Sequence, residues 1–440
     1  MDLVITILRG AFGLFVLAGI AYLFSTDRKS ISWRLVGAGI GLQLIFALLI
    51  LKTGPGFALF QFLGQAFTTI LNFTYAGSQF IFGPLGAPST ENSIGFMFAF
   101  QVLPTIIFFG SLMGILYYMG IIQPVVRGMG WFMSKTMRIS GPESLATAAN
   151  VFIGQTEAPL VVRPYVSKMT KSELMTLMTG GMATIAGGVL ASYVAFLGGD
   201  SSEEQVIFAS HLLSASIMSA PASIVMAKIL VPETETPSIM DKASFTTGQE
   251  DANVIEAAAS GASDGLKLAL NVGAMLLAFV ALIQLINFLL SLAAQPTLFG
   301  WEPFNLNAVV ERLSGGNFET LSLEAIFGFI FAPIAWAMGV ESADLLQFGR
   351  LLGEKVAINE FIAYLSLGEL KETMSQRSTI IGAYALCGFA NFSSIAIQIG
   401  GIGGIAPDRK SDVAKLGIRS IVGGALASWM TATIAGMLLS

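Results

Sequence analysis

The sequence predicts an all-α integral membrane protein: eight transmembrane helices, two oppositely oriented re-entrant hairpins and interfacial helices, built as an inverted repeat with broken helices. Three observations predict it. The chain has 440 residues, 54% hydrophobic and 12% charged, where soluble globular chains carry about 25% charged residues, and its mean hydropathy is +0.74. Apolar runs of about 20 residues, enough to cross roughly 30 Å of hydrocarbon, recur along nearly the whole length. Polar clusters interrupt these runs twice in each half, at matching intervals.

The candidate spans are Leu3 to Phe24, Leu35 to Leu51, Phe96 to Gly120, Leu174 to Leu197, Val206 to Ile229, Leu266 to Ala293, Ile380 to Ile399 and Leu416 to Leu439. The first has no basic head and no small-residue cleavage site before Ser25, so it is expected to be a retained span rather than a signal peptide. Four further stretches, Gly56 to Gly83, Leu145 to Val166, Leu323 to Val340 and Leu351 to Leu367, are too interrupted or too polar to cross simply.

Charge placement tests this parse, because Lys and Arg collect in short cytoplasmic loops. With the amino terminus outside and only the eight runs crossing, most of the 23 basic residues fall inside, among them Arg28, Arg34, Arg127, Arg138, Lys228 and Arg409. If Gly56 to Gly83 also crossed, everything after it would invert and most of them would move outside. That aromatic-rich stretch is therefore expected to lie along the interface, and both termini on the outer side. The acidic loop "GGDSSEEQ" falls outside, as the rule requires. The polar segment Pro232 to Gly265 falls inside and reads as a loop with one amphipathic helix and no chemistry of its own.

Composition also narrows the chemistry. Cys387 is the single cysteine, which excludes an intrachain disulfide and a cysteine-built metal site, and it reads as a small apolar filler. His211, the single histidine, lies in an apolar run and reads as a packed structural residue. The net charge of −5 is modest, and nothing points to nucleic acid.

The repeat carries the functional signal. "GQTE" (Gly154 to Glu157) and "TIAGG" (Thr184 to Gly188) interrupt the first half; "INE" (Ile358 to Glu360) and "GFANFSS" (Gly388 to Ser394) interrupt the second. Gly154 precedes Thr184 by nearly the interval at which Glu360 precedes Asn391. Each half thus reads as a re-entrant segment with a Glu near its tip, followed by a span broken by Gly or Asn. Under the charge-based topology the first enters from the cytoplasm and the second from outside. Secondary transporters build midplane sites from such inverted, broken helices, and non-helical backbone at that depth must line a protected or wet cavity.

The residues fit such a cavity. Thr156 and Glu157 stand where a second half-helix begins, with Pro159 in its first turn, where its missing N–H does no harm. The positive end of that half-helix would favour the charged form of Glu157. A Glu can also simply cap a helix, but a carboxylate at the bilayer centre costs on the order of 2.5 to 3.5 kcal/mol even on lenient scales, which argues for function at Glu157 and Glu360. Gln155, Asn391 and Ser394 both donate and accept hydrogen bonds. No Lys or Arg is embedded among these four clusters, so the implied solute is neutral and rich in amide, amine or hydroxyl donors. Val189 and Phe389 flank the polar residues and can cover an apolar ring face or merely pack. Asn150, Thr184 and the backbone carbonyls of Ile153 and Ile185 would form an oxygen cage suited to Na+; the alternative is that Asn150 and Thr184 satisfy exposed backbone groups.

At these residues the sequence resembles the concentrative nucleoside transporter family. "NVFIGQTEAPLVV", "GMATIAGGV", "KVAINEFIAYLSL" and "CGFANFSSIAIQIGGIGGIAP" carry the likeness, which covers nearly the whole chain and matches the length of bacterial members, without the extra amino-terminal spans of animal ones. The resemblance implies a homotrimer in the bacterial inner membrane, each protomer having a scaffold and a mobile transport domain, that imports nucleosides such as uridine down a cation gradient. It implies that Gln155, Thr156, Glu157 and Val189 contact the base, that Glu360, Phe389, Asn391 and Ser394 contact the ribose, and that Asn150, Ile153, Thr184 and Ile185 hold Na+. Some members couple to protons; the Asn and Thr oxygens favour Na+. Partners are then the nucleoside, Na+ and the lipid bilayer.

The expected division is scaffold spans and interfacial helix over 1–138, a first transport repeat over 139–230, a cytoplasmic loop with a long scaffold span and outer segment over 231–340, and a second transport repeat over 341–440. Two other readings compete. An intramembrane hydrolase would use Glu157 and Glu360 as acid and base, but no nucleophile is paired with a base and no His lies near either cluster. A channel would conduct without saturation, against two oppositely oriented breaks.

Overall fold

A computed structural model of the chain describes residues 3–87, 97–199, 201–237, 251–294 and 305–439. Among them every regular element is a helix. The α-helices run α1 (Leu3–Leu23), α2 (Trp33–Lys52), α3 (Gly54–Phe82), α4 (Phe98–Gln101), α5 (Leu103–Tyr118), α6 (Ile122–Met137), α7 (Gly141–Asn150), α8 (Ala158–Val161), α9 (Arg163–Val166) and α10 (Lys171–Ala183). They continue as α11 (Gly187–Gly198), α12 (Ser202–Leu230), α13 (Val254–Ala293), α14 (Leu306–Leu313), α15 (Leu323–Ala337), α16 (Leu345–Ala357), α17 (Glu360–Leu370), α18 (Gln376–Ala385), α19 (Phe392–Ile405) and α20 (Lys410–Leu438).

Among the described residues seven segments are long and apolar enough to cross a membrane: Val4–Leu23, Trp33–Lys52, Phe98–Tyr118, Lys171–Gly198, Ser202–Leu230, Val254–Ala293 and Pro407–Leu438. The expected eighth span, Ile380 to Ile399, is divided between α18 and α19. Gly388 adopts φ +112°, a conformation costly for any side chain with a Cβ, and Asn391 caps α19 by accepting the Ser394 N–H. Those two residues stop one helix and start the next.

The aromatic-rich stretch is a single helix, α3, packed along α12 and α2. The polar segment ends sooner than expected: α13 begins at Val254 and runs for 40 residues, about 60 Å at 1.5 Å per residue. Residues 238–250 of that segment, and Asp200 of the acidic loop, lie outside the described residues. Across the boundary expected at 340/341, α15 packs closely along α16.

α12 and α20 pass through the most buried part of the molecule, and α13 lies on its perimeter. Two Lys–Glu pairs tie the ends of α12 to the interrupted segments. Lys228, near its end, meets Glu143 in the first turn of α7 at 2.6 Å with both side chains buried; Glu204, at its start, meets Lys371 just past α17 at 2.6 Å in a more open setting. α13 crosses α5 at glycines. A Cβ on Gly261 would stand 2.3 Å from the Gly110 carbonyl, and one on Gly265 2.8 Å from that of Ile106, the small-residue contact that lets membrane helices approach closely.

His211 packs as expected, its Nδ1 3.2 Å from the Tyr384 hydroxyl, and Cys387 is buried and unbridged.

Candidate functional site

The first interrupted segment opens with α7, breaks after Asn150, and resumes as two four-residue helices, α8 and α9, separated at Val162. The single half-helix expected after Glu157 is thus cut in two. Pro159 and Pro164 occupy the opening turns, and a dipole of one turn has little to offer Glu157. Glu157 folds back over Gly154 instead: a Cβ there would stand 2.3 Å from its Oε2.

The segment lies along two glycines of α10. A Cβ on Gly180 would be 3.2 Å from Asn150 Nδ2, and one on Gly181 2.7 Å from Gln155 Cβ. α10 then stops at Ala183, and α11 restarts at Gly187, whose N–H reaches the Phe152 carbonyl at 3.4 Å.

In the second half only Ile358 and Asn359 separate α16 from α17. Asn359 caps α17 by accepting the Ile362 N–H at 2.9 Å, which sets Glu360 at the first helical position. Asn391 does two tasks. Its Oδ1 caps α19, and its Nδ2 donates to Glu360 Oε2 at 2.8 Å. Gly388 brings this break against the end of α10, since a Cβ there would stand 2.5 Å from the Met182 carbonyl.

These four elements, together with α5 and α13, line one cavity of about 840 Å³. Gln155, Thr156, Glu157, Val189, Glu360, Phe389, Asn391 and Ser394 all line it, as does Ile153. Asn150, Thr184 and Ile185 do not; they are buried just behind, at the end of α7 and the break after α10.

Hydrogen bonds cross between the halves at each tip. Gln155 Nε2 donates to Ser394 Oγ at 3.1 Å and its Oε1 accepts from Gln398 Nε2 at 3.1 Å. Tyr193 of α11 donates to Glu360 Oε1 at 3.1 Å while stacking on Tyr364, ring centroids 4.3 Å apart. Each tip is therefore held by a helix of the other half.

Tyr193 and Gln398 were not legible as site residues, because each sits alone in an apolar run and meets its partner only through the fold. The clusters themselves hold no Lys or Arg, but the fold brings cations to them: Arg163 lines the cavity, and a lysine lies behind the second tip. Lys355 is fully buried on α16, bonded to the carbonyls of Ala385 and Cys387 and to Ser428 Oγ. The reading of Pro232 to Gly265 as free of chemistry is corrected too: Asp251, Ser260 and Asp264 line the cavity, and further along α13 so does Asn271.

The donor set suits a small hard cation. Both amide atoms of Asn150 are buried without a hydrogen-bond partner, a costly state for a polar group unless something engages it. Thr184 Oγ1 donates to the Gly180 carbonyl at 2.9 Å, which leaves its lone pairs available as acceptors. Neutral oxygens of this kind are hard-cation ligands.

Sequence profiles described as "Na+ dependent nucleoside transporter C-terminus", "Na+ dependent nucleoside transporter N-terminus" and "Nucleoside recognition" match residues 211–436, 12–85 and 99–200. An uncharacterized transporter of Haemophilus influenzae is 43% identical over 99% of this chain and 98% of its own. The chain belongs to the concentrative nucleoside transporter family. Mouse solute carrier family 28 member 3 is 42% identical over 97% of this chain, which spans 58% of that protein's length. The solved structure of the transporter CNTnw in an inward-facing substrate-bound state matches with a TM-score of 0.84 at 39% identity, covering 98% of this chain and 99% of that one. The family is one of multi-pass membrane transporters described as Na+ dependent, and its members here are transporters rather than enzymes, which sets aside the hydrolase reading of Glu157 and Glu360.

Proposed function

We propose that this protein is a Na+-coupled symporter that imports nucleosides such as uridine across the bacterial inner membrane by alternating access. The observation that carries the reading is the single cavity lined by both polar tips, with the unpartnered amide of Asn150 directly behind the first. A nucleoside has two unlike ends, and the cavity offers two unlike walls. Gln155, Thr156 and Glu157, with Val189, present the mixed donors and acceptors that a base edge needs. Glu360, an acceptor-only carboxylate held by Tyr193 and Asn391, suits ribose hydroxyls, with Asn391 and Ser394 beside it and Phe389 covering the ring.

Asn150, Thr184 and the carbonyls of Ile153 and Ile185 would hold Na+. Its charge would fix the end of α7 against the break after α10, and so the position of Gln155. Binding at the first tip then favours binding between the tips, and such coupling is reciprocal. The gradient supplies roughly 2.3 kcal/mol per charge per 100 mV, plus the concentration difference.

The reading further takes both termini as outside, the two interrupted segments as re-entrant hairpins moving with their repeats (139–230 and 341–440) against a scaffold that includes α5 and α13, and three protomers per assembly. Uptake of radiolabelled uridine into proteoliposomes tests it. Accumulation driven by an inward Na+ gradient supports it; uptake driven only by a proton gradient removes Na+ as the coupling ion, and no uptake under either gradient removes the nucleoside reading.

A further inference from the structure

Lys355 has no part in the site just described, yet it is the most fully enclosed charge near it. It stands in the last turn of α16, five residues before Glu360, and is 0% exposed. Burying an ammonium is expensive unless every donor is met, and among the described residues no carboxylate lies within ion-pair distance of it. Three neutral oxygens meet its three N–H groups: the carbonyls of Ala385 at 2.8 Å and Cys387 at 3.1 Å, and Ser428 Oγ at 2.6 Å. Ser428 donates its own proton to the Ala425 carbonyl at 3.0 Å, so it turns a lone pair toward the lysine.

Those carbonyls belong to the helix that ends at the break. The last turn of a helix leaves carbonyls unsatisfied and carries partial negative charge. At the end of α18 the Gly382 carbonyl receives the Leu386 N–H, that of Tyr384 receives the Cys387 N–H, and that of Ala383 receives the Tyr364 hydroxyl at 2.8 Å. Lys355 supplies the partner for Ala385 and for Cys387 just beyond it.

The first half has the same plan with a different occupant. A residue from the last turn of the helix before the tip, Asn150 there and Lys355 here, is set against the end of the helix that stops at the break, α10 there and α18 here. The oxygens are of similar type: in the second half the carbonyls of Ala385 and Cys387 and the Ser428 hydroxyl accept from Lys355, and in the first the proposed cation ligands include the carbonyls of Ile153 and Ile185 and the Thr184 hydroxyl.

We propose that Lys355 is a tethered cation: its ammonium holds the α18–α19 break in the second half, the task a bound cation performs at the matching place in the first, so the second half needs no exchangeable ion. This deepens the cation-coupled reading, on which it rests for the comparison between halves. The α18–α19 break carries Phe389 and Asn391 and abuts Met182 through Gly388, so fixing it positions the ribose side and steadies the first break as well. Lys355 is a positioning residue and touches no substrate.

Melting of the purified full chain, measured in choline buffer without nucleoside or Na+, tests the charge. Lys355→Met keeps the apolar stem and removes the ammonium; Lys355→Ala opens its space. Both are expected to melt below the wild type, and ethylammonium is expected to raise the melting temperature of Lys355→Ala while leaving the wild type and Lys355→Met unmoved. A Lys355→Met protein that melts with the wild type, or a Lys355→Ala protein that ignores ethylammonium, overturns the proposal. If neither variant folds, the wild type decides by the charge carried per uridine in voltage-clamped proteoliposomes. One charge supports a single exchangeable cation; two would mean that the second half takes its own, against the proposal. Absence of any Na+ effect on the wild type would sink the coupling reading instead, and would leave the melting comparison intact.

Discussion

In the first half of the molecule a neutral amide, Asn150, is buried beside the end of α10 with neither of its atoms partnered. At the matching place in the second half, a lysine fills all three of its hydrogen bonds at the end of α18. At this one place the second repeat has every donor met by protein oxygens, and the first has a buried amide with neither atom met. On the proposed reading that asymmetry serves coupling, with the second half held by its own charge and the order of the first dependent on what is bound.

The anchors of the two halves differ in the same sense. Lys228 and Glu143 fix the start of the first interrupted segment with 7% and 1% of their side chains exposed, while Lys371 and Glu204 fix the end of the second at 20% and 46%. Breaking a buried pair by removing one partner costs about 3–5 kcal/mol, and a more open one below about 1 kcal/mol, since solvent screens it. Lys228→Met is therefore expected to destabilise the protein strongly and Lys371→Met hardly at all, read as melting temperatures. Equal losses would mean that the two anchors are equivalent after all.

Glu360→Gln follows. It removes a carboxylate that accepts from Tyr193 and Asn391, and charged hydrogen bonds are worth about 1.5–3 kcal/mol, so uridine binding is expected to weaken about 10- to 100-fold. Free uracil, which lacks the ribose, should bind both proteins alike, and an unchanged affinity for uridine removes the ribose assignment. Asn150→Ala is expected to raise the Na+ concentration for half-maximal uridine binding by about tenfold with saturating affinity largely kept; no shift removes Asn150 from the cation site. Tyr193→Phe keeps the stack on Tyr364 and deletes one hydrogen bond worth about 1 kcal/mol, roughly fivefold in affinity. The smallest effect is expected for Gln155→Ala, a change in the ratio of affinities among nucleosides with different bases; a uniform loss across them would place Gln155 away from the base.

Much of this arrangement was legible in the sequence, and the exceptions share a cause. The polar interruptions, Gly and Pro punctuation and apolar run lengths act locally, so the breaks at Thr184 and Gly388 and the meeting of the polar-cluster residues Gln155, Thr156, Glu157, Glu360, Asn391 and Ser394 in one cavity were legible in the spacing. Tyr193 and Gln398 lie in apolar stretches where nothing local marks them, and their roles arise from bonds between halves distant in sequence. Lys355 was hidden differently. Its neighbours Arg350 and Glu354 form an i,i+4 pair at 2.7 Å, the mark of a solvated helix face, which masks a lysine turned to the interior. The polar start of α13 read as a loop because its charged residues suit a cytoplasmic linker, whereas the crossing at Gly110 and Gly261 draws it against the cavity.

The most direct test of the account is the affinity of the purified wild-type protein for uridine, measured by calorimetry as Na+ replaces choline at constant ionic strength. The account predicts that affinity rises with Na+ and that a plot of log affinity against log Na+ has a limiting slope of one, from the single exchangeable cation beside Asn150. Uridine binding that is indifferent to Na+ would contradict it.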